Sequence, residues 1–490
     1  YDIIKQLKYF ANIAAIPTTL ILGERIKIED TGAEYLISFD SIAGVTNDNY
    51  TSIELEGGKY ALSSDLINQT IDANIYKLVG DGATDNAAKF ALMSKKIKEF
   101  AVLNKTTNVV FSKGNFATTQ PIIFQAKYSQ SGINVRGQSR NNSGAGGTTF
   151  SYTGVATDYF IKIEDQTKSR YENFNVVMGA AERGIFLDTF CFAIHIEDID
   201  ISANQLGGIS AIECNINTSA QISEISIERC RIVGSQVSIG DNSFLKVGFR
   251  AGNGNNKDFY IAGCSFGQID TAILINTSQS VSIKENTFFQ NDDDIHCRNC
   301  VVSVISNESE GSGLFFNTGS GSYISQNTLI GNSSTGPGKD NLVVNGGGNL
   351  TMIGNYMNCD TSQIKWVIAT NSNYIDGTVN SVIIQGNFFK STNNTDVPLL
   401  LDGSNNNATG KAYNKSVKLF GNSGGTNDAG NIKLNNQASW KVQSDGSPYA
   451  KTGNVGIGLN LPTSNLHLKG YNDSYSDNNF QVENLSGGKI

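Results

Sequence analysis

One short phrase recurs through residues 224–422, and it restricts the fold more than any other feature. An apolar-polar-apolar run is followed by a small polar residue and then another apolar pair. It reads ISIERCRI around Cys230, FYIAGCSF around Cys264, VSIKENTFF around Asn286 and VSVISNES around Asn307. YISQNTLI (Asn327), LTMIGNYM (Asn355), VIIQGNFF (Asn387) and VKLFGNSG (Asn422) continue the series. The tightest spacings are 22, 21 and 20 residues, and the others stretch to 28, 32, 34 and 35. A short period lengthened at one phase is what stacked solenoid coils with inserted loops produce.

The units alternate with period two and are rich in Ile, Val, Phe, Ser and Asn, with no 3.6-residue pattern long enough for a helix. Helical repeats are therefore excluded, and the leucine-rich phrase L-x-x-L-x-L is missing. A parallel β-helix remains, with coils stacked roughly 4.8 Å apart. Asn suits the turn, because it tolerates the left-handed conformation and its amide can bond to the Asn of the next coil. Cys230 and Cys264 occupy the same phase and read as small interior residues.

A chain of 490 residues is too long for one compact core, but a solenoid has no such limit. Charged residues make up only 17%, and the net charge of −8 argues against nucleic acid or an anionic membrane as partner. No run of 18 apolar residues exists that would span a bilayer. The opening YDIIKQLKYF lacks a signal-peptide pattern, and Tyr1 is not an initiator Met, so a fragment or processed form is expected. The seven cysteines, 191, 214, 230, 264, 297, 300 and 359, mostly sit in apolar coil phrases and read as buried thiols. The lone CRNC at Cys297–Cys300 has no second pair, so neither a metal nor a cofactor is expected.

Residues 1–75 form a distinct β-rich head with short strands and Gly turns, read as an adaptor. In YKLVGDGATDNAAKFALMSKKIKEF, Asp85 is a good N-cap. Met93, Ile97, Phe100 and Ala101 form one helical stripe, predicting a cap helix over about 85–103 that covers the first open coil. No GK[ST] follows the GDG, so it is a turn rather than a phosphate loop. GDGATDN, a helix, then VVFSKGNF and a strand resemble the entry motif of the pectate-lyase-like β-helix superfamily, and bacteriophage tailspikes most of all. The resemblance covers about 76–425. A second phrase, TGNVGIGLNLPTSNLHLKG at 452–470, resembles a segment near the C-termini of phage tail fibres and spikes.

The expected fold is thus an all-β, right-handed parallel β-helix solenoid over 76–425, with an N-terminal capping helix, a small β-rich head and a C-terminal β region over 426–490. The resemblance implies a homotrimer on a virion tail, attached through its N-terminal side. It further implies binding and cutting of a bacterial capsular or O-antigen polysaccharide, without nucleic acid or membrane insertion.

Glycoside hydrolysis needs two carboxyls flanking one bond. Aligning DTAILIN, DDDIHCRN and EGSGLFFN places Asp270, Asp292 and Glu310 in one column, with Asp293, Asp294, Glu308 and Glu285 as neighbours able to substitute. The insertions at 240–258, 330–341 and 358–380 are other possible locations. The same acids can equally cap turns. Lyase chemistry by β-elimination on a uronate is the alternative, and His296 beside Arg298 is the one tempting pair for it. A non-cleaving adhesin is a third reading, and a free secreted pectinase-like enzyme a fourth. Trp366 in a long insertion, Phe316, Tyr323 and Tyr374 are candidate sugar platforms. In each Phe doublet one ring is expected inside and one outside.

Overall fold

The computed structural model describes the head at residues 8–11, 16, 20, 24–29, 33–38, 52–55 and 59–63. It then describes 70–100, 106–126, 130–140, 146–217, 219–234, 244–252, 257–312, 314–317, 326–336, 342–345, 349–359, 366–369, 381–391, 399–402, 416–420 and 432–435. From Thr70 onward, 30 strands join in one continuous system, and every pairing in it is parallel. Each coil contributes to three faces, named here sheets I, II and III in chain order. In one coil, Thr271–Asn276 lies in sheet I, Val281–Lys284 in sheet II and Thr287–Phe289 in sheet III. The fold is a parallel β-helix.

The interior follows from period two. In sheet I the register aligns Ile161, Ile185, Ile212, Phe249, Ile273, Ile295 and Phe316, all fully buried. Burying each such side chain contributes about 1.5–3 kcal/mol. The column beside it reads Lys162, Phe186, Glu213, Arg250, Leu274 and His296, mostly polar or charged.

The turn from sheet II to sheet III needs one left-handed residue per coil. Arg229, Gly263, Glu285, Ser306, Gly331, Gly354 and Gly386 all have φ between 51° and 63°. Each directly precedes a column of Cys230, Cys264, Asn286, Asn307, Asn332, Asn355 and Asn387. Glycine takes this conformation without a Cβ clash. The Asn members bond coil to coil: Asn286 Nδ2 to Asn307 Oδ1 at 3.0 Å, Asn307 to Asn332 at 3.0 Å, Asn332 to Asn355 and Asn355 to Asn387 both at 2.8 Å. Cys264 N–H donates to Asn286 Oδ1 at 2.9 Å, so the two Cys do share this column. The expected member Asn327 does not belong to it. Asn327 lies within sheet II opposite Val302, and the ladder position of that coil is Asn332.

The cap helix spans Ala87–Phe100. Phe90, Met93 and Ile97 are buried against the first coils, with Phe90 6.3 Å from the Phe111 ring and 6.1 Å from Phe150. Asp85 accepts from Ala87 N–H at 3.0 Å and from Thr119 Oγ at 2.6 Å, which lowers its carboxyl pKa. Asn86, fully buried, spends its amide on Val79, Thr84 and Ala117 instead. In the GDG turn, Asp81 accepts from Ala83 and Thr84, chiefly Thr84, and its pKa falls to about 2.

The head is a five-stranded sheet, mostly antiparallel, around Ile26, Ile28, Tyr35 and Ile37. The 3-10 turn Ala73–Tyr76 joins the two cores, because Ile75 packs in the head and Tyr76 in the solenoid. Strand Ile432–Asn435 pairs in parallel with Leu399–Asp402, so sheet I pairing continues past residue 425. The phrase at 452–470 lies outside the described residues. Six cysteines are free and buried, including Cys297 and Cys300. No described helix is long and apolar enough to cross a membrane.

Candidate active site

The strongest convergence of ionisable groups lies on the outward face of sheet II, near its turn into sheet III. Strands Thr157–Val177 and Ala181–Ser202 run through all three faces and bend at left-handed residues. Two of these bends are Asn173 and Asp198, residue types that tolerate positive φ. Each directly follows a glutamate, Glu172 or Glu197, and Arg229 likewise follows Glu228. The register then stacks Arg136, Glu172, Glu197 and Glu228 in one outward column. Beside it run Asn134, Arg170, His195 and Ser226.

Three glutamates on successive coils would repel one another without cations between them. Arg170 Nε lies 2.6 Å from Glu197 Oε1 and 3.7 Å from Glu172 Oε2. Arg136 Nε approaches Glu172 Oε1 at 3.4 Å. From the other side Arg229 donates to Glu197 and Asp198, both at 2.8 Å, and lies 3.7 Å from Glu228. Ser226 Oγ donates to Glu228. Arg140, in the loop after Arg136, reaches across to the Arg229 carbonyl and to Asp198.

The two upper glutamates are not equivalent. Burial raises the Glu172 pKa, and a hydrogen bond with Glu197 raises it further, while Arg170 and Arg136 oppose the shift. Glu197 lies between two guanidiniums, those of Arg170 and Arg229. A carboxyl with a raised pKa beside a second carboxyl set between arginines is a pair that acid–base catalysis can use.

Sequence alignment of the coils missed this column. The coils 172→197 and 197→228 differ in length, so the shared phrase (YENF, IEDI, IERC) is visible only once it is aligned on the Glu and the left-handed residue after it.

The expected carboxylate column is only partly assembled. Asp293 sits opposite Thr271, so Asp270 and Asp292 occupy equivalent corner positions on neighbouring coils. Asp293 N–H donates to the Asp270 carbonyl at 2.8 Å. Glu310 is not in that column. It ends a sheet III strand opposite Phe289, and the sheet I strand of its coil begins only at Leu314, opposite Asp293. Glu308 is likewise on sheet III, opposite Thr287. Asp294 points into the core, fully buried. It accepts from Asn291 and Ser309 and is pushed up to about 7, mainly by burial.

His296 and Arg298 are on sheet I, with Arg298 Nε donating to His296 Nε2 at 3.0 Å. Asp293 Oδ2 lies 3.9 Å from His296 Nδ1. Phe316 is not a sugar platform. Both members of its doublet, Phe315 and Phe316, lie within strand Leu314–Asn317 and are fully buried, Phe316 in the interior column opposite Ile295. Trp366 lies in a strand rather than a loop insertion, opposite Leu342 and in the register of the interior column. Tyr323 and Tyr374 fall outside the described residues. Among those residues no group of His, Cys, Asp and Glu is arranged to hold a metal.

No family model matches the chain, and no curated protein matches its sequence. Solved structures resemble it in shape. The enzymatically active domain of tailspike protein 2 from bacteriophage CBA120 aligns with TM-score 0.48 and 11% identity, over 80% of this chain and 56% of its own. The tailspike of an Acinetobacter phage gives 0.46 and 10%, over 95% and 77%. Tailspike protein gp49 of the Acinetobacter baumannii phage Fri1, a capsular polysaccharide depolymerase, gives 0.43 and 11%, over 87% and 75%. The chain spans little more than half the length of the first of these. At such scores the likeness carries no inference about reaction or substrate.

Proposed function

We propose that the chain is a phage tailspike that binds a bacterial capsular or O-antigen polysaccharide and depolymerises it by glycosidic hydrolysis. The observation that carries the reaction is the Glu172–Glu197 pair, in register on adjacent coils, with one carboxyl raised and the other flanked by arginines. Neighbouring coils are roughly 4.8 Å apart; the two carboxyls hydrogen-bond to each other, so substrate must part them to reach the ~5–5.5 Å of retaining glycosidase pairs. Protonated Glu172 gives its proton to the glycosidic oxygen as the C–O bond breaks. Ionised Glu197 stabilises or attacks the anomeric carbon, and water completes the hydrolysis.

The open, outward face of a long sheet suits an extended polymer. The entry motif at 76–124 and the tail phrase at 452–470 support the tailspike reading, with a homotrimer on the virion tail joined through the head. The corner acids Asp270, Asp292 and Asp293 and the sheet III acids Glu308 and Glu310 are secondary candidates. A second reading, β-elimination on a uronate, is favoured by one observation: Arg298 and Asp293 bracket His296 on sheet I. There His296 is the base and Arg298 neutralises the uronate carboxylate.

Incubation with purified capsules from a strain panel, followed by mass spectrometry, decides between them. Products that have gained water support hydrolysis, and unsaturated products without added water support elimination. Binding with no released oligosaccharide leaves a non-cleaving adhesin. Full activity in both Glu172→Gln and Glu197→Gln would move the reaction away from this column.

A further inference from the structure

The arginines around Glu172 and Glu197 are of two kinds. Arg229 is committed to the protein, with hydrogen bonds to Glu197 and Asp198 and Glu228 nearby. Arg140 is tied to the Arg229 carbonyl. Three cations on sheet I are also matched, since Lys162 lies between Glu164 and Asp188, while Arg183 and Arg250 share Glu213; Arg298 there bonds His296 instead.

Arg136 and Arg170 differ. Their side chains are 66% and 53% exposed. Both approach the glutamates through Nε, and no hydrogen bond joins their Nη atoms to described protein groups. The Nη edge is the fork that grips a carboxylate or phosphate in two parallel bonds. The two residues are diagonal neighbours, since Arg136 is opposite Glu172 and Arg170 is two positions before Glu172 on the same strand. Asn134 Oδ1 accepts the Arg170 backbone N–H at 3.0 Å and fixes that strand beside its neighbour.

Arg136 and Arg170 thus lie beside Glu172 and Glu197 with their outward edges turned to solvent. This places an exposed cationic edge on a chain whose net charge is −8. A neutral sugar would gain nothing from it, and an anionic polymer needs it to approach an acidic protein.

We propose that the site takes an anionic glycan, with a carboxylate or phosphate group on a sugar at or next to the cleaved linkage held by the outward edges of Arg136 and Arg170. This rests on the depolymerase reading and narrows its substrate class. A neutral polysaccharide with no such group is a poor ligand.

The test is binding by the full chain carrying Glu197→Gln, so that the polymer is not consumed. The probes are uronate-containing capsular polysaccharides, the same polymers after carboxyl reduction, a phosphate-bearing wall polymer before and after dephosphorylation, and neutral dextran. Affinity for a native acidic probe is expected to fall at least about tenfold when its anionic group is removed, and the responsive pair identifies the group. Adding Arg136→Gln or Arg170→Gln is expected to cost a similar factor and flatten the salt dependence. Arg170→Lys, which keeps the charge and loses the fork, should fall between.

Equal binding of charged and neutral forms, no binding to any probe, or Gln variants that bind like their parent would each overturn the proposal. Cleavage of a neutral polymer by the unsubstituted chain would overturn it while leaving the depolymerase reading intact. Charge-dependent binding without cleavage by the unsubstituted chain would do the reverse.

Discussion

Asn307 Oδ1 takes two hydrogen bonds from Asn286 of the preceding coil, from its backbone N–H at 2.9 Å and its Nδ2 at 3.0 Å. Asn307 Nδ2 meanwhile donates to the carbonyls of Ile283 and Ile305 and to Asn332 Oδ1. All of this is buried. Asn307→Ala therefore orphans several groups at once, at about 1–3 kcal/mol each. The expected loss is at least about 3 kcal/mol in denaturant unfolding. Asn327→Ala, outside the ladder, should cost markedly less.

The residue before each ladder position is left-handed, and Ser306 holds that conformation at φ 54°. The following coils use Gly331, Gly354 and Gly386 at the same place. A side chain there costs roughly 1–2 kcal/mol, partly offset by the greater unfolded-state entropy of glycine. Ser306→Gly should therefore stabilise the protein by about 0.5–1 kcal/mol, read as a raised unfolding midpoint. The reverse change, Gly331→Val, should lower it by more.

Asp294 sets a pH dependence of opposite sign to that of most carboxylates. Its folded pKa, about 7, is above the ordinary aspartate value of 3.8, so the folded state binds the proton more tightly than the unfolded chain does. Stability from this group is fully present below the unfolded value and is lost as pH rises through about 7. Asp294→Asn cannot ionise and can still pair with Asn291 and Ser309. It should raise the unfolding midpoint near pH 8, and its advantage should shrink as pH falls toward 4. An advantage independent of pH would mean that Asp294 does not titrate in this window.

The fold was legible because each coil repeats the same local demands: an apolar residue at every second position and a small or amide residue after a left-handed turn. Those demands act over a few residues, so a phrase records them. Asn327 shows the limit, since QN and GN look alike until the left-handed position before Asn332 separates them. The site was less legible because it depends on register between coils of unequal length. Glu310 matched Asp292 in a gapless alignment, yet the chain spends three more residues turning the corner before sheet I. Glu172, Glu197 and Glu228 lie 25 and 31 residues apart, and nothing local marks them as neighbours. Phe316 was misplaced for a related reason, because only the register opposite Ile295 shows that it belongs to the interior column.

If Glu172 is the acid and Glu197 the ionised partner, each carries a distinct signature. Glu172→Gln and Glu197→Gln should each lower kcat by about 10²–10⁴, the range of a positioned acid or base. The alkaline limb of the rate profile reports loss of the Glu172 proton. Arg136 holds the Glu172 pKa down and touches no other described carboxylate. Arg136→Gln should therefore move the alkaline limb to higher pH. Arg229→Gln removes a guanidinium that pairs with Glu197, Asp198 and Glu228 but not with Glu172, so it should leave the alkaline limb in place. Measuring kcat against pH for the two arginine variants on one polysaccharide separates the roles. If both variants shift the same limb, the assignment of acid and base within the pair is wrong, even if the column is the site.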